Sequence, residues 1–385
     1  MVGPFKILTV IGARPQIIKA AAISRAIQGP FKGRISETLL HTGQHYDANM
    51  SQVFFDELGI PRADIDLAVG SGAQGAQTAR MIEGIENELQ RTKYDAVLLY
   101  GDTNSTLAGA VAAAKLHVPV AHVEAGLRSF NKSMPEEINR IVCDHCSTWL
   151  FCPTTTAVAN LRREGFNVET EGHPTLDHPR VVACGDVMYD NSMHFAELAA
   201  RTSTVLNDHG LAANGYLLAT VHRDHNTDDP LRLNAIFSAL LGLHRSHGMP
   251  VVLPLHPRTR KMMETLLAPE LKEAITAALG FLLLPPAGFF DMIALERNAK
   301  LVLTDSGGVQ KEAYFFGKPC VILRPQTEWV ELVLHLQAVI ADADPERIIE
   351  AADRFLLTGV PERPMLFGDG HAAEAICATL LEGWS

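Results

Sequence analysis

Five strand-like runs in this chain are each followed at once by a group that can do chemistry: Arg14, Asp102, Glu124, His222 and the tetrad Asp305-Ser306-Gly307-Gly308. Carboxylates and imidazoles move protons, while cations and glycine-exposed backbone N–H groups hold phosphate oxygens. The combination points to proton transfer on a phosphorylated small molecule. Open α/β sheets bind ligands outside the carboxyl ends of their strands, so the five positions are expected to converge on one cleft between two sheets.

Thr304-Asp305-Ser306-Gly307-Gly308-Val309-Gln310-Lys311-Glu312 opens a helix with a hydroxyl and two glycines. Such a start can receive phosphate oxygens, with Glu312 one turn in accepting from ribose hydroxyls. The plainer alternative is a glycine-rich helix cap without a ligand. Gly12-Ala13-Arg14-Pro15-Gln16, with Lys19, is a second strand-to-helix junction, and Pro15 suits a first helical turn. Arg14 and Lys19 can hold a diphosphate, or one of them is a surface charge. Together the two junctions suggest a nucleoside diphosphate.

The candidate acids and bases are Asp102, Glu124, Glu136 and His222. Glu136 lies in Pro135-Glu136-Glu137-Ile138-Asn139-Arg140, where the bland reading is an i,i+4 ion pair with Arg140. His222 and His225 have i,i+3 spacing, but with 16 histidines such spacing arises by chance, and no metal is expected. Cys143 and Cys146 form a C-x-x-C without a second ligand pair, which reads as a buried helix face; all six cysteines read as reduced thiols. Gly70-Ser71-Gly72-Ala73-Gln74-Gly75 matches a dinucleotide fingerprint, yet it comes third in the alternation and lacks the acidic strand end roughly 20 residues on. It reads as a flexible loop over the cleft. No G-x-x-x-x-G-K-[ST] occurs, which excludes a P-loop kinase.

These residues need a scaffold, and the pattern supplies one. Short β-branched or apolar runs alternate with alanine-rich helical stretches: 6–11, 38–42, 96–100, 118–123 and 148–152, then 216–220, 251–254, 281–284, 301–303 and 320–323. Strands alternating with helices predict parallel sheets, here two. Residues 169–180, with two prolines and several charges, read as the linker, and a final helix over 371–384 can pack back across the boundary. The expected division is therefore 1–175, 176–368 and a C-terminal helix over 369–385.

The 385 residues carry 33 Lys+Arg and 44 Asp+Glu, a net charge of −11 that argues against a nucleic-acid partner. At 47% apolar and 20% charged residues the composition is that of a globular enzyme rather than a disordered chain. No apolar run reaches the roughly 20 residues of a membrane span. The start of the chain also lacks a signal-peptide layout, so a cytoplasmic protein is expected.

In order along the chain, Gly-Ala-Arg-Pro-Gln with Lys19, Thr42-Gly43-Gln44-His45, Gly101-Asp102-Thr103, His122-Val123-Glu124-Ala125-Gly126-Leu127-Arg128, Pro135 to Arg140, Thr220-Val221-His222-Arg223, residues 304–312 and Gly317-Lys318-Pro319 resemble the motifs of non-hydrolysing UDP-N-acetylglucosamine 2-epimerases. The resemblance spans residue 6 to about 335. It implies a GT-B fold of two Rossmann-like domains, a homodimer, and C2 inversion of a UDP-sugar without a cofactor. The reaction implied is anti-elimination of UDP to a 2-acetamidoglucal, then re-addition with a proton on the opposite face. By motif, Asp102, Glu124 and Glu136 look like the acid/base set, with His222 stabilising the departing UDP. Arg14, Lys19, Arg140, Ser306, Gly307, Gly308, Glu312 and Arg324 look like substrate- or UDP-binding residues. Gln44 and His45 fall where a second, activating substrate molecule would sit.

The chain departs from the common pattern at three places. Ala13-Arg14-Pro15-Gln16 replaces Thr-Arg-Pro-Glu, His225 replaces an acidic residue, and Thr327-Glu328-Trp329-Val330 replaces Thr-Glu-Arg-Pro. Fewer carboxylates near the sugar would ease binding of an anionic sugar, whereas loss of the arginine cuts the other way. The variants resemble the branch that epimerises UDP-2,3-diacetamido-2,3-dideoxyglucuronic acid for lipopolysaccharide O-antigen; plain UDP-N-acetylglucosamine is the alternative substrate. A GT-B glycosyltransferase would need an acceptor, a sensor would leave the sugar unchanged, and a hydrolysing epimerase would release free sugar.

Overall fold

A computed structural model describes residues 3–44, 62–169 and 172–382. The chain divides into two compact units, residues 1–191 with 365–385, and residues 192–364.

The first unit is built on seven parallel strands, β1 (Phe5–Ile11), β2 (Ile35–His41), β3 (Ile65–Asp66), β4 (Ala96–Tyr100), β5 (Val120–Val123), β6 (Trp149–Cys152) and β7 (Arg180–Ala183). Their spatial order is β3-β2-β1-β4-β5-β6-β7, and every pairing is parallel. Helices cover a parallel sheet on both faces, so its central strands are apolar throughout. Accordingly Ile7, Leu8, Val10 and Ile11 of β1 and all five residues of β4 are fully buried. The helix Asn104–Lys115 brings Ala108, Ala110, Ala112 and Ala113 into the same core, where small side chains let it lie close to the strands. From β1 the chain runs outward through β2 to β3, then returns to the other side for β4. The strand order therefore reverses between β1 and β4, where the crossovers leave open space beyond the strand ends.

The last helix, Ala372–Leu381, belongs to this unit and packs on the helix Arg14–Gln28. Its first N–H groups, on Ala372 and Ala373, are capped by the Asp190 carboxylate at 3.1 and 2.8 Å.

The second unit repeats the plan with six strands: β8 (Leu217–Thr220), β9 (Val251–Pro254), β10 (Phe281–Leu284), β11 (Leu301–Thr304), β12 (Cys320–Ile322) and β13 (Ala338–Ile340). Their order is β10-β9-β8-β11-β12-β13, again all parallel, with the reversal between β8 and β11. The core lies against the helices Pro230–His247 and Pro345–Thr358 through Phe237, Leu240, Ile348 and Phe355. The GT-B expectation of two parallel α/β sheets matches this architecture.

Three strands escape the sequence reading. β3 has two residues, β7 is at most half-buried, and β13 is a three-residue edge, so their few apolar residues are too short a run to stand out. β7 emerges from the stretch read as linker and pairs with β6 through Trp149 and Arg180, and the unit boundary falls at Asn191–Ser192. The G-x-G-x-x-G segment follows β3 at the sheet edge and leads into the helix Gln74–Arg91, away from the reversal point where a dinucleotide would bind. Among the described residues no helix is long and apolar enough to cross a membrane.

Candidate active site

In the first unit the register pairs Tyr100 of β4 with Val123 of β5, so Gly101-Asp102 and Glu124 leave adjacent strands side by side. Glu124 has a left-handed backbone, φ +72°, uncommon for a residue with a Cβ and a form of strain that clusters at functional sites. Its carboxylate accepts a hydrogen bond from the Lys19 ammonium on the helix Arg14–Gln28. Gly101 makes room for that pair. Its φ is +61°, and a Cβ there would stand 3.0 Å from Lys19 Nζ and 3.3 Å from Glu124 Oε2.

Asp102 accepts from Arg140 Nη2 at 2.5 Å, and Arg140 Nη1 donates to Glu137 at 2.8 Å. Arg140 therefore binds Asp102 and Glu137, not Glu136 as the i,i+4 spacing suggested. The angular difference explains it: Glu137 at i−3 faces inward, whereas Glu136 is exposed on the first turn. Glu137 takes the Ser129 and Phe130 N–H groups at 2.9 Å each. Burial works against its charge, but these donors and Arg140 outweigh it and hold the carboxyl below the usual range.

Arg14 is exposed at the head of its helix. Gln16 is 1% exposed: its Oε1 accepts from Gly12 and Ala13 N–H, and its Nε2 donates to the Tyr100 carbonyl and Thr106 hydroxyl, both at 3.0 Å. This corrects one inference from the motif. The amide at 16 locks β1 to β4, and exchanging it for a carboxylate would set that carboxylate against a carbonyl rather than against an open sugar site. Gln44 accepts from Ser105 N–H and Oγ at 3.1 and 2.7 Å, while His45 lies outside the described residues.

In the second unit, β8 and β11 end in register at Thr220 and Thr304. Asp305 then points back into the fold, fully buried. It accepts from the backbone N–H of His222 and Arg223 and from Asn226 Nδ2 at 3.0 to 3.1 Å. Asp305 is thus a receptor that shapes the His222 loop, a role its place in the Asp-Ser-Gly-Gly tetrad did not reveal. His222 Nδ1 stands 3.3 Å from Asp305 Oδ1. Burial, with Arg223 and His256 adding to it, lowers the His222 pKa in spite of Asp305.

Ser306 caps the helix Gly307–Phe315, its Oγ accepting from Val309 N–H at 3.5 Å. An added Cβ at Gly307 would meet Glu328, Trp329 and Arg324 at 3.6 to 3.8 Å, and one at Gly308 would meet only Ser306 Oγ, at 3.9 Å, so both positions have ordinary contacts without a clash. Glu312 sits one turn in, beside the buried Glu296. Burial and the neighbouring Glu312 carboxyl push the Glu296 carboxyl well above the usual carboxylate range. Arg324 binds Glu328 through two nitrogens, at 3.1 and 2.8 Å. Trp329, where the family pattern has arginine, donates from Nε1 to the Gly307 carbonyl at 2.9 Å, and the Lys311 ammonium lies 4.1 Å from its ring centre. A cation is therefore retained beside the tryptophan.

The structure thus places the acid/base candidates Asp102 and Glu124 with Lys19 and Arg140, and groups His222, Ser306, Gly307, Gly308, Glu312 and Arg324 in the other unit. Among the described residues no cluster of three His, Cys, Asp or Glu suits a metal ion. Two buried groups were missed: Gln16, and Asp144, which pairs with His122. A histidine inside the apolar strand Val120–Val123 was the available signal, since a buried polar side chain needs a partner.

Comparison with known proteins gives one consistent family. The family model described as UDP-N-acetylglucosamine 2-epimerase matches residues 31–381. A Pseudomonas aeruginosa protein named UDP-2,3-diacetamido-2,3-dideoxy-D-glucuronate 2-epimerase is 50% identical over 376 residues, 97% of this chain and 99% of that one. A Methanococcus maripaludis UDP-N-acetylglucosamine 2-epimerase homolog is 46% identical over the same shares. The solved structure of Methanocaldococcus jannaschii UDP-GlcNAc 2-epimerase in complex with UDP-GlcNAc and UDP aligns with a TM-score of 0.80 at 36% identity, covering 98% of this chain and 100% of that one.

Proposed function

The chain belongs to the UDP-N-acetylglucosamine 2-epimerase family, and from that premise we propose that it interconverts UDP-2,3-diacetamido-2,3-dideoxyglucuronic acid and its manno epimer at C2. The observation that carries the choice of substrate is the 50% identity, along 97% of the chain, to the Pseudomonas aeruginosa relative of that name. UDP-N-acetylglucosamine is the second reading, favoured by the 46% identical homolog. A cytoplasmic homodimer supplying lipopolysaccharide O-antigen synthesis belongs to the same proposal.

In the proposed reaction a carboxylate of the first unit takes the C2 proton, the C2–H electron pair forms the C1=C2 double bond, and the C1–O bond breaks with its electrons going to UDP. In the return step UDP oxygen attacks C1 while a second acid delivers a proton to the opposite face of C2. Two faces need more than one acid/base group, which is the use we assign to Asp102, Glu124 and Glu136. Lys19 and Arg140, bound to Glu124 and Asp102, fix where those carboxylates point. Arg14 and His222 stabilise charge on the departing diphosphate. Ser306 and the helix-start N–H groups of Gly307 and Gly308 hold phosphate, and Glu312 holds the ribose.

The test is kcat/KM for each UDP-sugar with the purified protein. The glucuronic acid derivative is expected to be at least ten-fold better. Equal rates, or a preference for UDP-N-acetylglucosamine, would overturn the substrate assignment and leave the family reaction standing.

A further inference from the structure

We propose that the buried His122–Asp144 pair is the positioning device of the acid/base site, joining the three segments that carry Asp102, Glu124 and Glu136. This rests on the function proposed above. His122 is 0% exposed. Its Nε2 bonds the Gly101 carbonyl at 2.8 Å, one residue before Asp102, and its own strand delivers Glu124 two residues later. Its Nδ1 bonds Asp144 Oδ1 at 2.7 Å, and Asp144 lies in the helix Pro135–His145 that begins with Glu136. The other Asp144 oxygen accepts from Gly126 N–H at 3.1 Å and from Arg128 Nη2 at 2.7 Å, which fixes the turn just after Glu124.

The partners dictate the protonation state. A carbonyl oxygen can only accept, so Nε2 carries hydrogen. Asp144 Oδ2 takes two donors of its own, the Gly126 N–H and the Arg128 guanidinium, and a carboxyl paired with a buried arginine is held as the anion, so Nδ1 carries hydrogen as well. His122 is therefore an imidazolium bridging two fixed acceptors. The titratable groups around it agree: burial opposes its charge most, yet Cys143 and Asp144 outweigh burial and raise its pKa well above the usual value. Burial also opposes charge on Asp144, and His122 and Arg128 together bring it below its usual value. A hydrogen-bonded ion pair of this kind has defined directions at both ends, and it is placed to hold the left-handed Gly101 and Glu124 backbones in register.

Two measurements test the role. In the nitrogen-15 spectrum of the wild-type ring, both His122 nitrogens should be in the protonated range, with two slowly exchanging N–H protons from pH 6 to pH 9. An unprotonated ring nitrogen at neutral pH would overturn the bridge. Second, His122→Gln should lower kcat about 10²-fold, the scale of a small misplacement of reacting groups, with UDP affinity changed less than two-fold. A packing residue would lower only the melting temperature, so a folded His122→Gln with wild-type kcat overturns the positioning role. Asp144→Asn keeps an acceptor but removes the charge, and serves if His122→Gln does not fold. It should free one ring nitrogen of its proton and cut kcat about ten-fold, and unchanged kcat contradicts the proposal. Wild-type protein inert on both UDP-sugars would sink the function itself.

Discussion

The two candidate regions solve different problems with different materials. Around Asp102 and Glu124 the first unit uses charged side chains throughout: Lys19, Arg140, Glu137 and, beneath them, His122, Asp144 and Arg128. Around Ser306 the second unit presents a helix start with two glycines and a buried Asp305 that accepts from two backbone N–H groups and one amide, with the Arg324–Glu328 pair, Lys311 and His222 beside it. Carboxylates on adjacent strand ends can exchange protons with a bound sugar, whereas helix N–H groups can only hold. On the proposed function, turnover rests on the first region and nucleotide affinity on the second, and substitutions in each should separate kcat from binding.

The largest effect is expected where a proton-transfer group is removed. Glu124→Gln or Asp102→Asn should reduce turnover about 10³-fold and leave UDP affinity by calorimetry within two-fold; full activity in either removes that residue from the acid/base set. Asp305→Asn should do the reverse. With the acceptor of the His222 and Arg223 N–H groups weakened, Kd for UDP should rise about ten-fold, the scale of charged hydrogen bonds, while kcat at saturation changes less than about three-fold. A purely kcat effect would erase the division between the regions.

Smaller changes sharpen it. Gly308→Ala has no close neighbour to strike, so the melting temperature should stay within about a degree, yet UDP should bind several-fold more weakly if phosphate occupies that space. Unchanged binding would move the phosphate elsewhere. Because the His222 pKa is lowered in the free protein, an arriving diphosphate should draw a proton onto it. UDP affinity should then rise as pH falls below 7, with net proton uptake seen by calorimetry in two buffers. No proton uptake would place His222 away from the diphosphate.

The smallest effect concerns stability alone. Burial raises Asp190, the cap of the last helix, from 3.8 to about 6. The native state then holds a proton that the unfolded state releases, so this contribution to stability is fully present below about pH 4 and is lost as pH rises to about 6. Asp190→Asn keeps an acceptor for the helix N–H groups and should flatten the fall in urea midpoint between pH 4 and pH 6. Parallel slopes in wild type and variant would contradict it.

Much of this was legible in the chain, for a physical reason. Strands buried on both faces must be apolar throughout, so β1, β4 and β11 stand out, and the residue after each strand marks the ligand side of the sheet. The edge strands β3, β7 and β13 are only two to four residues long and carry at most three apolar residues, too few to stand out, whereas the edge strand β10 has four in Phe281–Leu284. At the site, residue types showed which chemistry was on offer but not who pairs with whom. Arg140 was one residue away from its expected partner, because a three-residue offset and a four-residue offset both lie on one helical face. Gln16 and Asp144 were invisible as site residues because their partners lie 84 and 22 positions away, distances set only when the strands assemble.

The most direct measurement is proton NMR of the enzyme with UDP-2,3-diacetamido-2,3-dideoxyglucuronic acid in deuterium oxide, following the C2 proton and the anomeric signal. Elimination and re-addition predict conversion of the gluco to the manno form with deuterium gained at C2 in every product molecule, and loss of both with Glu124→Gln. Epimerisation with the C2 proton retained, or no conversion of any UDP-sugar, would contradict proton transfer by the first unit's carboxylates.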